Sequence, residues 1–398
     1  IMYTGESPIA YLRRVPPSPK FWTVAIPAMI VVWGSWGLAG IAGSGATALG
    51  SIILGRLPAE GDAWLVRCLT LVIIALCALL VSFGQKIERT LEIANWFFMV
   101  FVLATLLFVV APLTVKPEVV VEALRGSFSF GYIPPGADAS LIAAWWAYTG
   151  LAVGLNFIFM NWYRDKGYGM GSIVGYIPAL IGGKKVALSP SGKTFTMSVE
   201  NVKTFRRWEK LLNYDQWLIF FPGAILGMYL PSMIAASLLP RGQELKAWGV
   251  AAHVAEGFAA IVGTWGYYLI AFIGFIILFS SALGAYVDPV PRNLTDVLWS
   301  SDRVRRWARG DVRVVYYTLL ATYVALSSWA VFQAQPLILV TIAANIANFV
   351  GLLVIPAVMY LSSRLPREIR PKPWEYALLL VFLGLSAYFF VMAILSIK

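Results

Sequence analysis

Charge, histidine and cysteine are all scarce in this chain of 398 residues. Asp, Glu, Lys and Arg make up 13% of it, about half the share of a soluble domain. His253 is the only histidine. That excludes multi-haem ligation and histidine metal clusters within the chain, and argues against serine hydrolase chemistry with a histidine base. Cys68 and Cys77 are nine residues apart, on opposite faces of a helix at about 100° per residue. They cannot bridge to each other there, and no zinc spacing is present. Residues 1–20 are polar and proline-rich and contain no signal peptide. No catalytic constellation remains, so the chain is not read as an enzyme and no bound cofactor is expected.

What is abundant is apolar surface. Hydrophobic residues make up 59% of the chain and the mean hydropathy is +0.75. The apolar residues come in blocks longer than the roughly 20 needed to cross a bilayer. The class is therefore an all-α polytopic membrane protein. Nine spans are expected, at 21–46, 64–83, 90–112, 139–162, 216–239, 260–286, 313–333, 336–361 and 374–397. The first reads on to Leu54, too long for a perpendicular helix, so tilt or an interfacial extension is expected. Its Gly37, Gly40, Gly43 and Gly45 form a face suited to close helix packing.

Basic residues test that count. With residues 1–20 inside and sides alternating at each span, 24 of the 31 Lys and Arg fall inside. Only Arg56, Arg67, Lys116, Arg125, Arg241, Lys246 and Lys398 fall outside. This asymmetry obeys the positive-inside rule. The net charge of +11 thus reflects topology and anionic lipid, and no nucleic-acid partner is implied. A cytoplasmic insertion occupies 164–214. Within it Val186–Val199 reads as a β-hairpin around Pro190 and Gly192. An amphipathic helix follows, with Val199, Val202, Phe205 and Leu212 opposite Lys203, Arg206, Arg207 and Lys210. Asp215, Glu92 and Asp288 read as interfacial, with Asp288 pairing to Arg292.

The polar residues inside the spans carry the functional argument. Thr149, Gly150, Gly154 and Asn156 interrupt the span at 139–162. A glycine-broken membrane helix frees backbone groups that survive only against protein, water or solute. Such broken helices build the central sites of many transporters. The G-x-x-x-G spacing of Gly150 and Gly154 equally suits close helix packing, and spacing alone leaves both readings open. Asn345 and Asn348 share a face of a second span at i, i+3. Their amides suit either a polar lining for a hard cation or interhelical hydrogen bonds.

Several segments resemble the natural-resistance-associated macrophage protein (Nramp) superfamily, and more closely its divergent prokaryotic relatives. They are Tyr3-Thr-Gly-Glu-Ser7 with Arg13-Arg-Val-Pro16, Lys86-Ile-Glu-Arg89, and Tyr148-Thr-Gly-Leu-Ala-Val-Gly-Leu-Asn156. Asn161-Trp-Tyr-Arg-Asp-Lys-Gly-Tyr168, Tyr214-Asp-Gln-Trp217 and the Asn345-to-Pro356 span with Arg364-Leu-Pro366 also match. The resemblance implies a leucine-transporter-like inverted-repeat fold of eleven helices. The nine spans would be helices three to eleven, with the broken span as helix six and the first two helices outside this N-terminally truncated sequence. The family's Asp-Pro-Gly-Asn stretch of helix one does not occur here. Its Met-Pro-His stretch of helix six is replaced by Gly150-Leu-Ala-Val-Gly-Leu-Asn156, without sulfur or imidazole.

The expected function is secondary-active transport by alternating access around 149–156. The cargo is a divalent metal ion, with a hard ion such as magnesium favoured over manganese or iron by the oxygen ligands that remain. Thr149, Gly150, Gly154 and Asn156 are the candidate metal path, and Asn345 and Asn348 a candidate second lining. Two alternatives stand beside it: a same-fold transporter of a small organic solute, and a non-transporting anchor subunit of a redox complex. The expected location is the plasma or inner membrane, multi-pass, with 164–214 in the cytoplasm.

Overall fold

Serine, proline and glycine set the limits of the longest rod. Ser18 caps its start, accepting from the Phe21 amide at 3.2 Å; Pro19 fills the first turn, and Gly55 ends it at φ 63°. The result is α1, Pro19–Leu54, of 36 residues, about 54 Å long against a hydrocarbon core of about 30 Å. The expected run to Leu54 is therefore real, and this helix must tilt or emerge. The computed structural model describes residues 1–149, 159–240 and 250–396, and α1 is the central post of its helical bundle.

The other principal helices follow in chain order: α2 Ala63–Leu80, α3 Ile87–Thr105, α4 Ala139–Thr149, α5 Asn161–Asp165, α6 Val199–Tyr214 and α7 Phe221–Leu238. Then come α8 Val250–Val262, α9 Thr264–Ser281, α10 Pro289–Trp299, α11 Val312–Ala330, α12 Pro336–Ser363 and α13 Pro373–Ser396. Seven described helices are long and apolar enough to cross a membrane, and no named strand occurs among the described residues. The expected span at 139–162 has α4 and the start of α5 at its two ends, with 150–158 outside the described residues.

Glycines decide how closely the post is approached. A Cβ on Gly37 would lie 2.1 Å from the Tyr286 ring, and one on Gly40 2.7 Å from the Val340 backbone nitrogen. Gly43 meets Pro336 and Gly45 meets Leu278. The small-residue face thus seats α9 and its extension on one side and α12 on the other. A side chain can rotate away from an intruding methyl, but the first turn of α12 cannot. Gly40→Ala is therefore expected to cost about 1–3 kcal/mol, despite about 1 kcal/mol of helix propensity gained. Thermal unfolding in detergent checks this, and a variant as stable as the parent would refute the close approach.

Three expectations need correction. The span expected at 260–286 does not begin at 260. Gly263, at φ 89°, turns the chain between α8 and α9, and Phe258 of α8 packs beside Gly266 of α9. Nor does that span end at 286. A π-helical stretch, Ala282–Val287, carries α9 into α10, giving one apolar helix Thr264–Trp299 of 36 residues. Pro289 is tolerated because it occupies the first turn after the π segment.

The amphipathic helix also forms, as α6, but it does not stop at the expected boundary. A second π stretch, Asp215–Phe220, joins it to α7 in a continuous helix Val199–Leu238 of 40 residues. The expected hairpin at 186–199 is absent. Its backbone groups go to distant partners instead of to each other: Ser189 N to Val174 O at 2.8 Å, Lys193 N to Thr4 O at 2.8 Å, and Leu188 O to the Trp299 indole at 2.9 Å. Burying Leu188 among the helices outweighs the local pairing that Pro190 and Gly192 suggest.

Candidate functional site

Gly150, Gly154 and Asn156 lie outside the described residues. Thr149, at the end of α4, donates its hydroxyl to Trp146 O at 2.7 Å. Asn345 and Asn348 are close to this helix but turn their amide donors to its backbone. Asn348 Nδ2 reaches Ala143 O at 2.9 Å, and Asn345 Nδ2 reaches Ser140 O and Oγ at 3.4 Å besides its own Thr341 O at 3.0 Å. These are interhelical hydrogen bonds, the second of the readings open from sequence. Beside Thr149, the Tyr148 hydroxyl meets the Tyr286 hydroxyl at 3.1 Å and Val340 O at 3.2 Å. Trp33 stacks on Tyr286 at 4.9 Å. The end of α4 is thus flanked by an aromatic, hydroxyl-bearing wall supplied by α1, α4 itself and the π segment after α9.

Beyond 158 the chemistry changes to charge. Helix α5 delivers Arg164 and Asp165, α10 with its preceding residue delivers Asp288, Arg292 and Asp296, and all five are buried. Arg292 grips Asp288 with Nε at 2.8 Å and Nη2 at 3.0 Å, and its Nη1 pairs with Asp165. Arg164 reaches Asp165 at 2.9 Å through Nε and Asp296 at 2.6 Å through Nη1. Neutral donors join the lattice, while Arg164 Nη2 and Asn161 Oδ1 have no hydrogen-bond partner among the described residues. The Tyr316 hydroxyl and Trp162 indole donate to Asp288 at 2.6 and 2.7 Å, and Asn161 Nδ2 donates to Asp296 at 2.8 Å. The Ile177 amide caps Asp165 at 3.4 Å.

An isolated charge in such a place costs several kcal/mol, and alternating signs with several hydrogen bonds to each carboxylate offset that cost. Burial works against the Arg164 charge, but Asp296 and Asp165 beside it raise its pKa above the ordinary guanidinium value. Burial, and then Asp215 at 2.8 Å, push the neighbouring Tyr163 phenol well above its usual range, so it remains a proton donor. Asp215 is thus partnered, while Glu92 pairs with Lys166 at 3.1 Å and Arg89 at 3.3 Å at an exposed edge, as an interfacial residue does.

Asp288 is the contrary case. Its pairing with Arg292 was expected, but its place at an interface was not: both side chains are wholly buried. The sequence carried one signal for this, the i, i+4 spacing of Asp288 and Arg292. Nothing in it joined that pair to Arg164 and Asp165, more than 120 residues away. The lattice is sealed by the irregular segment that follows α5. Ile177 and Ala179 are fully buried, the Leu180 amide donates to the Tyr317 hydroxyl at 2.9 Å, and Lys86 Nζ donates to Asp165 O at 3.2 Å.

Fold and site together define a multi-pass α-helical membrane protein with a buried Arg–Asp lattice at the end of the bundle that bears the 164–214 insertion. No protein-family model matches the chain, and no curated protein matches it. The family resemblance therefore rests on the quoted residues alone. Among the described residues no group of three or more His, Cys, Asp or Glu is placed to hold a metal ion.

Proposed function

We propose that this chain is the transport core of a secondary-active transporter, with leucine-transporter-like inverted repeats and its nine spans as helices three to eleven. The observation that carries the reading is the buried lattice joining α5 to α10. Ionisable groups within a membrane bundle are costly, and are kept where they line a pathway or hold a conformation. Here they join α5, at the far end of the span that holds Gly150 and Gly154, to α10 at the end of the long helix Thr264–Trp299. The lattice acts as the inner latch of alternating access: closed as described, it opens when α5 and α10 part. The cargo passes along 149–156, and a divalent ion, magnesium before manganese, is expected from the oxygen ligands there.

A second cargo is favoured by one observation. The wall of Tyr148, Tyr286 and Trp33 beside Thr149 offers ring faces and hydroxyls, which suit a small organic solute. Uptake into proteoliposomes decides between them. Gly154→Leu is expected to abolish uptake while leaving the melting temperature nearly unchanged, because the side chain fills the pathway. Loss of stability with uptake retained would make Gly154 a packing residue and defeat the proposal. Magnesium uptake supports the ion reading; strong manganese preference, or uptake of organic solutes alone, removes it.

A further inference from the structure

Beside the lattice lies a fourth carboxylate that takes no part in its ion pairs. Glu88, in the first turn of α3, is 6% exposed, and its Oε2 is buried with no hydrogen-bond partner among the described residues. No lysine or arginine forms an ion pair with it there. Asp165, Asp288 and Asp296, by contrast, are each gripped by a guanidinium. The position of Glu88 follows from how α3 begins. The Ala179 amide donates to Gln85 O at 3.5 Å, Pro178 pairs with Lys86, and Lys86 Nζ donates to Asp165 O at 3.2 Å. These bonds tie the segment that seals the lattice to the start of α3, and both Ile87 and Glu88 are buried at that junction.

Three charges act on Glu88: Asp165 from α5, Arg292 from α10, and Lys86 immediately before α3. Arg292 is already bonded to Asp288 and Asp165. Lys86 Nζ is held by Asp165 O and lies 4.4 Å from the centre of the Tyr176 ring. The other charged groups near the start of α3, Arg89 and Glu92, pair with each other and with Lys166 at the exposed edge. Of the elements packed on α3, α9 has no ionisable group besides Tyr267 and Tyr268 in its first turns, and the π segment none besides Tyr286.

The charge balance decides the state of Glu88. Arg164, Arg292 and Lys86 already offset Asp165, Asp288 and Asp296, three against three. Arg13 and Arg14 are paired with Glu6 and partly reach solvent. An ionised Glu88 would add a negative charge beside Asp165 with no cation left to meet it. The amides of the first helical turn favour an anion at that position, but this gain is smaller than the cost of an unpaired buried carboxylate. Burial and a like charge both favour the neutral acid.

Building on the latch reading of the proposed function, we infer that the closed latch holds a proton on Glu88 and that loss of this proton loosens it. The seal over the lattice thereby responds to the pH at that end of the bundle. The closed state binds the proton more tightly than the open one, where water reaches the carboxylate. Closure is therefore favoured at low pH and lost as the pH rises. With one proton involved, opening grows by at most about tenfold per pH unit.

The test introduces Ile177→Cys into the purified full chain and follows its labelling by a water-soluble maleimide from about pH 5 to about pH 8, above the ordinary glutamate range. Peptide-level mass spectrometry separates this site from Cys68 and Cys77, and Thr194→Cys, at an exposed position, corrects for the reagent's own pH dependence. Corrected labelling is expected to accelerate at least tenfold over that range. Glu88→Gln, which keeps the size of the neutral acid, should remove the acceleration and hold labelling at the low-pH rate. Glu92→Gln should leave the parent profile. The melting temperature should fall with rising pH more in the parent than in Glu88→Gln. An unchanged pH profile in Glu88→Gln would overturn the inference. So would a Glu88→Gln chain that labels faster at low pH or fails to fold, because Glu88 would then serve as an anion. Labelling that ignores pH in the parent would overturn the proton lock and leave the latch, whereas no labelling under any condition would remove both. None of these readouts involves uptake, so failure of the transport test leaves them intact.

Discussion

Replacing Arg292 by Met is expected to destabilise the protein by about 3–5 kcal/mol, the usual cost of leaving buried charge unpaired. Met resembles Arg in length and packs in its place, so the loss isolates the charge. Asp288 would keep only Tyr316 and Trp162 as donors, and Asp165 only Arg164 and the Ile177 amide, Lys86 being bonded to its backbone carbonyl. Both carboxylates would remain wholly buried. The check is an unfolding titration in detergent micelles. Adding Asp288→Asn to Arg292→Met should recover part of the loss, because it removes one of the stranded charges. A single variant as stable as the parent, or a double variant with strictly additive losses, would mean that the lattice holds no coupled charges.

Tyr316→Phe is expected to shift the latch without unfolding the bundle. The substitution deletes one hydroxyl that donates to Asp288 at 2.6 Å, while Arg292 still satisfies both carboxylate oxygens. A hydrogen bond to a charged group is worth about 1.5–3 kcal/mol, so the equilibrium between closed and open latch should move about tenfold to a hundredfold. The readout is a cysteine placed at Ile177, a fully buried position whose amide caps Asp165. Its labelling by a water-soluble maleimide should accelerate by that factor in the Tyr316→Phe background. Unchanged labelling together with lowered stability would reduce the lattice to a structural clamp and remove the gate from the transport reading.

Both effects concern residues that the sequence placed differently or left unconnected. Asp288 stands next to two prolines and reads as the end of a span; the π segment before it lets the helix continue, and so buries it. Asn345 and Asn348 illustrate the reverse. Their spacing on one face was legible, but two uses for an amide were open, and only the position of α4 beside them settled that the donors go to Ala143 and Ser140. The hairpin at 186–199 failed for a similar reason. Local turn residues favour pairing weakly, whereas Leu188 and the Trp299 indole bond supply contacts that no local reading contains.

The sequence by itself determined the class and the close face of α1. These follow from one-dimensional quantities: runs of apolar residues long enough for a bilayer, the uneven distribution of Lys and Arg, and glycine spacing along a single helix. Only the tertiary structure decided which charges meet. Arg164 and Asp165 are worth little apart from Asp288, Arg292 and Asp296, because a buried charge is tolerated solely through partners brought from elsewhere in the chain. Periodicity records which way a side chain points, but not what another helix places opposite it.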